Sequence, residues 1–351
     1  MAGDTPWMRR ALLLARRAWG DTSPNPMVGA VLVRDGEVIG EGYHHRCGMP
    51  HAEVEAIRDA LAKGNDPAGS TIYVTLEPCS TCGRTPACTD AILNAGISRV
   101  VIAALDPNPK HAGRGVAILR KGGVKVRCGV CRKEAEKLNQ PFFHWITTGT
   151  PYVILKMAMT LDGKIATASG DSKWVTGPEA RAEVQQLRRL ADAILVGGDT
   201  ARLDRPKLTV RDGNPVSRQP RRLVASRTLT ETDLAEIFPE GDLPQIVQLP
   251  DPAAWRELLS RLGGENVMTL LLEGGGELAA SALRAGVVNE LYFYMAPKIL
   301  GGRHSRPVVG GDDPQFLAEA LEVAQWQVEP CGRDLRIRAT FRKDDRACLQ
   351  D

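Results

Sequence analysis

At 351 residues the chain exceeds one average domain and suits two, each long enough to bury a core. Its 43% hydrophobic and 25% charged residues are ordinary for a soluble globular protein. Lys and Arg number 45 against 42 Asp and Glu; the resulting formal charge of +3 is too balanced to imply a polyanionic partner, and no basic run argues for nucleic acid. Nothing approaches the roughly 18 consecutive apolar residues of a membrane span. The N-terminal MAGDTPWMRRALLLARRAWG lacks the long apolar stretch and small-residue cleavage site of an export signal. The expected location is the cytoplasm, where eight cysteines are read as metal ligands or buried thiols, not as a disulfide framework.

Taken in chain order, residues 8–19 place Ala11, Leu12, Ala15 and Ala18 or Trp19 on one helical face. The turn DTSPNPMVG follows, and AVLVRDGEVIGEGY reads as a β-hairpin about Arg34, Asp35 and Gly36, Asp-Gly being a strong hairpin signal. A helix is predicted over His51–Lys63, ended by Gly64. TIYVTLEPC is a strand that stops at a proline; TDAILNAG, RVVIAALD, GVAILRKGG and VKVRCGV then alternate helix and strand, an α/β sandwich. Near Gln140–Pro151 the alternation lapses into a predicted linker, which sets domains of 1–146 and 147–351.

The second unit opens with the strand YVILKMAMTLDG, then the helix PEARAEVQQLRRLA with Pro178 in its first turn, then the strand AILVGG. Further strands are predicted at RRLVAS, QIVQL, VMTLLLEGG and ELYFYMAPKIL, with helices at AAWRELLSRL and ELAASALRAG. DLRIRATFRK alternates like an edge strand.

Zinc takes nitrogen and sulfur ligands in a tetrahedron, and a catalytic site keeps one position open for water, whose pKa the metal lowers toward neutrality. His51 at a helix start, with cysteines from EPCSTCGRTPAC, supplies such donors. Glu53, two residues on, can move protons without ligating. H-x-E followed by P-C-x-x-C is a known nucleobase-deaminase signature, and His51-Ala52-Glu53 with Pro78-Cys79-Ser80-Thr81-Cys82 fits it. On spacing alone the third ligand is Cys82 or Cys88. Cys128 and Cys131 form a second C-x-x-C with no histidine nearby and read as thiols at a strand end.

In the second unit LLLEGGGELAASAL reads strand, glycine turn, helix, and such a helix N-terminus offers backbone N–H groups to a phosphate. Gly274, Gly276 and Ala279 satisfy G-x-G-x-x-A, but late in the domain, where a Rossmann fingerprint is not expected.

PNPMVGAVLV, HAEVEAI, EPCSTCGRTPACTDAI and DPNP resemble the deaminase half of the bifunctional riboflavin-biosynthesis deaminase/reductase family. KMAMTLDGKIA, SGDSKWVTGPEAR, AILVGGDTARLDRPKLTVR, LLEGGGELAASAL and ELYFYMAPKILGG resemble its reductase half. The resemblance, over about residues 7–340, implies an N-terminal cytidine-deaminase-like three-layer α/β/α domain followed by a C-terminal dihydrofolate-reductase-like α/β domain. It implies zinc on His51, Cys79 and Cys88, with Glu53 as the catalytic proton carrier. Asn25, His44, Arg84, Asp106 and Asn108 are implied to hold a small-molecule substrate, a pyrimidine ribosyl phosphate.

For the reductase the resemblance implies NADPH contacts from Ala158, Trp174, Thr200, Asp204, Ser226 and the run Gly275, Gly276, Glu277, Leu278, Ala279, Ala280 and Ser281. Substrate contacts are implied for Ser172, Arg188, Leu208, Arg211 and Glu273, the two arginines suiting a phosphate, with Lys156 near the ribose. Read without the family, Arg188 belongs to the charged outer face of its helix, Trp174 to a core and Asp204 to a turn before Pro206. Two features depart from the family pattern, Cys82 between the ligand cysteines and ASRT where Asp-Ser is expected; VGGD is glycine-rich where the family varies.

The implied reactions are hydrolytic deamination of 2,5-diamino-6-ribosylamino-4(3H)-pyrimidinone 5′-phosphate and then NADPH-dependent reduction of the ribosyl group to ribityl, in a homo-oligomer. One rival is a nucleoside or RNA deaminase fused to an unrelated reductase, and the balanced charge disfavours its RNA version. A binding protein built on inactive domains is the other, and the intact His51, Glu53, Cys79 and Cys88 disfavour it.

Overall fold

A computed structural model describes residues 3–81, 87–109 and 111–341. The chain divides into two compact units, residues 1–149 and 150–351.

The first unit is built on a five-stranded sheet in the order β2-β1-β3-β4-β5. β1 (Gly29–Arg34) pairs antiparallel with both β2 (Glu37–Tyr43) and β3 (Thr71–Leu76), while β3, β4 (Arg99–Ala104) and β5 (Lys125–Cys128) run parallel. The predicted hairpin is present, and its turn uses positive φ at Asp35 (54°) and Gly36 (78°), the conformation that makes Asp-Gly a turn former. Because strand side chains alternate, Ala30, Leu32, Ile72, Val74, Val100 and Ile102 point to one face. There they pack on α2 (Ala52–Ala62), α3 (Cys88–Asn94) and α4 (Arg114–Lys121). The other face carries α1 (Asp4–Arg16) and α5 (Arg132–Leu138), which completes three layers.

Helix and sheet approach closely because of glycines. A Cβ on Gly40 would lie 2.4 Å from the carbonyl oxygen of Ala56, and one on Gly42 2.4 Å from the Ala56 nitrogen. With Ala52, Ala56 and Ala60 facing them, these glycines seat α2 on the hairpin, and so fix His51 at its N-cap and Glu53 in its first turn.

The predicted linker is instead helical: α5 is followed directly by α6 (Gln140–Thr148), with Pro141 in its first turn and Gly149 in the left-handed conformation at its end. Pro inside the start and Gly past the end are helix signals that outweigh the break in alternation. The expected division at residue 146 falls within this helix.

The second unit has an eight-stranded sheet in the order β10-β9-β8-β11-β6-β12-β15-β14. β6 (Tyr152–Thr160), β8 (Ala193–Gly197), β9 (Arg221–Ala225), β10 (Gln245–Val247), β11 (Thr269–Glu273) and β12 (Glu290–Ala296) are parallel; β15 (Asp334–Phe341) and β14 (Val323–Cys331) add antiparallel. Alternate residues of β6, such as Val153 and Leu155, pack with Trp255, Leu258 and Leu262 of α10 (Pro252–Gly264) and with Leu278, Ala279 and Ala282 of α11 (Gly276–Arg284). Tyr152 and Ile154 face Ala180, Val184 and Leu187 of α7 (Pro178–Leu190) on the other side.

DLRIRATFRK is not the edge strand: β15 lies between β12 and β14, and β14 forms the edge. A register shift between Val323 and Gln325 breaks the alternation of β14, which hides that strand in the sequence. The short helices α8 (Gly198–Asp204) and α9 (Glu231–Ile237) were also unpredicted, although Thr230 and Asp233 form a capping box on α9. A two-stranded ladder pairs β7 (Lys164–Ala166) with β13 (Arg306–Pro307). Among the described residues, no helix is long and apolar enough to cross a membrane.

Candidate metal centre and cofactor cleft

His51 caps α2, Cys79 follows β3 after Pro78, and Cys88 opens α3. The His51 Nδ1 lies 3.2 Å from Cys88 Sγ and 3.5 Å from Cys79 Sγ. All three donor atoms fall within 4.8 Å of one another, the one such metal-holding group among the described residues. One nitrogen and two sulfurs are a donor set that fits zinc, with a fourth position left over. The Cys88 thiol and backbone N–H donate to Cys79, which pulls the Cys79 thiol down to about 4, toward the thiolate that binds metal. Cys82 and Arg84 lie outside the described residues.

Glu53 is 2% exposed, and its Oε2 has no hydrogen-bond partner. Burial pushes its carboxyl up to about 7, where it both takes and gives a proton near neutrality. A buried carboxylate oxygen left without a partner is costly unless something else is bound there.

The His44 ring stands edge-on to His51, with centroids 5.2 Å apart. Its Nδ1–H donates to the Pro50 carbonyl at 3.0 Å, which leaves Nε2 to accept the Asn25 amide at 3.0 Å. Burial lowers the His44 pKa, which favours the neutral ring. Asp106 accepts the Asn108 backbone N–H at 2.8 Å in an Asx turn.

Sequence reasoning overlooked Glu77, whose buried carboxylate accepts the N–H groups of Asp106 (3.1 Å), Gly113 (2.9 Å) and Val116 (3.2 Å) and so holds the DPNP segment. The available signal was an acidic residue at the end of an otherwise apolar strand. Cys128 and Cys131 are free, and burial raises both thiols, Cys131 to about 11.

In the second unit a cleft of about 1870 Å³ opens at the C-terminal ends of β6, β8, β9 and β11, the edge of a parallel sheet where ligands bind. It is lined by every residue expected at NADPH or at the second substrate except Ala279, whose methyl packs in the core under α11. Gly274 and Gly275 adopt φ of 85° and 79°, and a Cβ on Gly276 would lie 2.6 Å from the Pro307 carbonyl oxygen. Only glycine permits this turn, and it sets the first residues of α11, Gly276, Glu277 and Leu278, in the cleft wall.

Arg188 is buried, not on an outer helix face. It grips Glu273 with two hydrogen bonds (2.6 and 2.8 Å) and donates to the Thr209 carbonyl (3.1 Å), so its charge is already committed within the protein. Burial works to raise the Glu273 carboxyl, but the Arg188 guanidinium holds it below its usual range. Lys156, the strand neighbour of Glu273, has its pKa lowered by burial. Ser172 donates to Asp204 at 2.8 Å, and the Asp204 backbone carbonyl accepts from Lys173, so that residue is more than a turn former. Trp174 is not a core residue: it is 64% exposed and stacks on Arg181, 4.8 Å from ring centroid to guanidinium carbon. Leu208 is buried, and Arg211 is exposed, with its backbone N–H bonded to Gln185.

Known proteins share both halves of this arrangement. The family model for the cytidine and deoxycytidylate deaminase zinc-binding region matches residues 1–104, and that for the RibD C-terminal domain matches residues 151–337. The riboflavin biosynthesis protein RibD of Actinobacillus pleuropneumoniae is 42% identical over 359 residues, covering 95% of this chain and 94% of that protein. The chain belongs to the RibD family. RibD of Aquifex aeolicus is 42% identical over 353 residues, covering 95% of this chain and 97% of its own. The solved RibD of Acinetobacter baumannii superposes with a TM-score of 0.86 at 37% identity, over 97% of this chain and 99% of that one. A diaminohydroxyphosphoribosylaminopyrimidine deaminase/5-amino-6-(5-phosphoribosylamino)uracil reductase from Thermotoga maritima gives 0.83 at 33% identity, over 96% and 98%. As a RibD-family chain, this protein is a bifunctional riboflavin-biosynthesis enzyme with a zinc-binding deaminase half and an NADPH-dependent reductase half, in that order.

Proposed function

We propose that the first unit deaminates 2,5-diamino-6-ribosylamino-4(3H)-pyrimidinone 5′-phosphate and that the second reduces the ribosyl chain of the product to ribityl. The observation that carries this reading is the buried Glu53, one of whose carboxylate oxygens has no hydrogen-bond partner, beside the His51, Cys79 and Cys88 donors, in one chain with a glycine-turn cleft. Bound zinc supplies Lewis-acid activation of a water. Glu53 takes a proton from the attacking water and returns one to the departing amine, which leaves as ammonia. Asn25 and His44 orient the pyrimidine, and Arg84, Asp106 and Asn108 hold the ribose phosphate. In the cleft, α11 and the Gly274–Gly275 turn hold the dinucleotide phosphates, Ala158, Trp174, Thr200, Asp204 and Ser226 seat the rest of NADPH, and Lys156 faces the ribose. Ser172, Leu208, Glu273 and its partner Arg188 shape the substrate pocket. Arg211, exposed and free of a carboxylate clamp, suits the substrate phosphate better than Arg188 does.

We place the chain in the cytoplasm as a homo-oligomer. The unbridged thiols Cys47, Cys128, Cys131 and Cys331, outside the metal site, support the first, and the exposed Trp326 and Val328 of the edge strand β14 support the second. Supplied with zinc, NADPH and the diaminopyrimidine phosphate, the purified chain is expected to release ammonia and oxidise NADPH; doing neither would overturn the reading.

A further inference from the structure

Two consecutive arginines of α7 face different ways, because neighbouring helix residues point about 100° apart. Arg188 turns inward to Glu273 and lines the cleft. Arg189 lies outside the cleft lining and turns to the loop that joins α8 to β9. There its guanidinium grips Asp212 with two hydrogen bonds (3.0 and 2.8 Å) and donates to the carbonyls of Pro215 (3.0 Å) and Asn214 (3.4 Å). The two paired side chains are only 10% and 8% exposed, which sets them apart from the solvated ion pairs of the surface.

That loop carries Arg211. Residues 205–220, all described, belong to no helix or strand, yet Arg211 and Asp212 stand in the cleft wall. A segment without a ladder of its own holds a side chain in place only through outside anchors. Helix α7 supplies them: Arg188 donates to the Thr209 carbonyl (3.1 Å), Gln185 accepts the Arg211 backbone N–H (2.7 Å), and Gln186 joins Arg189 on Asp212 (3.3 Å). The Arg211 backbone is thus held at its own nitrogen and at the next residue. Of these anchors next to Arg211, the Arg189 grip is the charge-assisted, two-pronged one, and therefore the strongest.

The pair also decides which charge is left for a ligand. Glu273 neutralises Arg188 and Asp212 neutralises Arg189, whereas the exposed Arg211 makes no carboxylate pair among the described residues. Desolvation offsets much of the attraction within a nearly buried ion pair, so its main effect is read in position and not in stability.

We propose that Arg189 is a positioning residue for the second reaction: through Asp212 it holds the loop in the register that presents Arg211 to the substrate phosphate. The proposal rests on the assignment of that phosphate to Arg211. Steady-state NADPH oxidation by the full chain on the deaminated intermediate tests it in wild type, Arg189→Gln, Arg211→Gln and the double variant. Arg189→Gln is expected to raise KM for the intermediate about tenfold, the scale of one lost charge-assisted contact, with kcat and KM for NADPH within about twofold of wild type. Added to Arg211→Gln it should cost less than about twofold more, because residues that act through one contact are not additive. Arg189→Lys keeps the charge but not the two-pronged grip and should raise the same KM about threefold; it carries the test if Arg189→Gln does not fold. The proposal is overturned by an unchanged KM for the intermediate in the Arg189 variant, by an equal rise in KM for NADPH, or by full additivity in the double variant. If Arg211→Gln alone leaves KM for the intermediate unchanged, the assignment of the phosphate to Arg211 fails first and the proposal with it.

Discussion

His51, Cys79 and Cys88 come from a helix cap, a strand exit and a second helix start, yet their donor atoms fall within 4.8 Å. His51, Glu53 and Cys79 are legible from spacing alone, because two short motifs fix them. The third ligand is not: Cys82 and Cys88 both satisfy the chemistry, and only the family pattern favours Cys88. Helix α3 supports Cys88, since its first residue turns the Cys88 N–H toward Cys79, while Cys82 lies outside the described residues. Cys88→Ser is therefore expected to lose most of its zinc, while Cys82→Ser retains about one ion per chain. Metal content of the dialysed proteins, read by mass spectrometry, decides it; loss from Cys82→Ser with retention in Cys88→Ser hands the role to Cys82.

At the scale of elements, α2 carries two of the first site's residues, and its seat depends on the glycines of β2. The hairpin itself is plain in the sequence because Asp35 and Gly36 must take positive φ. The need for Gly40 and Gly42 is not, since it arises only when a helix lies on them. Gly42→Ala places a Cβ 2.4 Å from the Ala56 nitrogen, so α2 must shift. The expected cost is about 1–3 kcal/mol, the scale of overpacking a core. Urea unfolding measures it, and deamination should fall more than reduction because His51 and Glu53 move with the helix. An unchanged midpoint with unchanged ammonia release would mean that α2 is not seated by this contact. Elements missed from sequence share a cause: α5, α6, α8 and α9 span nine residues or fewer, β7 and β13 three or fewer, and β14 is interrupted by a register shift, so none offers a long unbroken period.

On the scale of the whole molecule, two α/β units carry two different kinds of site. The metal donors of the first are compact in sequence, between His51 at the cap of α2 and Cys88 at the start of α3, and so are largely readable as a pattern. The cleft of the second draws on β6, α7, β8, α8, β9, β11 and α11, separated by up to a hundred residues and more, and no single spacing reveals it. Its residues are legible only through resemblance, and even then Ala279 turns to the core and Arg188 to Glu273. In the proposed sequence the two sites act in series, the deaminated product of the first serving as substrate for the second. Glu53→Gln keeps the shape of the side chain but removes its ability to accept a proton, so it separates the two steps cleanly. With NADPH present, the variant should release ammonia from the diaminopyrimidine phosphate at least about a hundredfold more slowly than wild type. It should still oxidise NADPH at the wild-type rate when given the deaminated intermediate. Ammonia release at the wild-type rate, or loss of NADPH oxidation on that intermediate, would contradict a two-site, two-step enzyme.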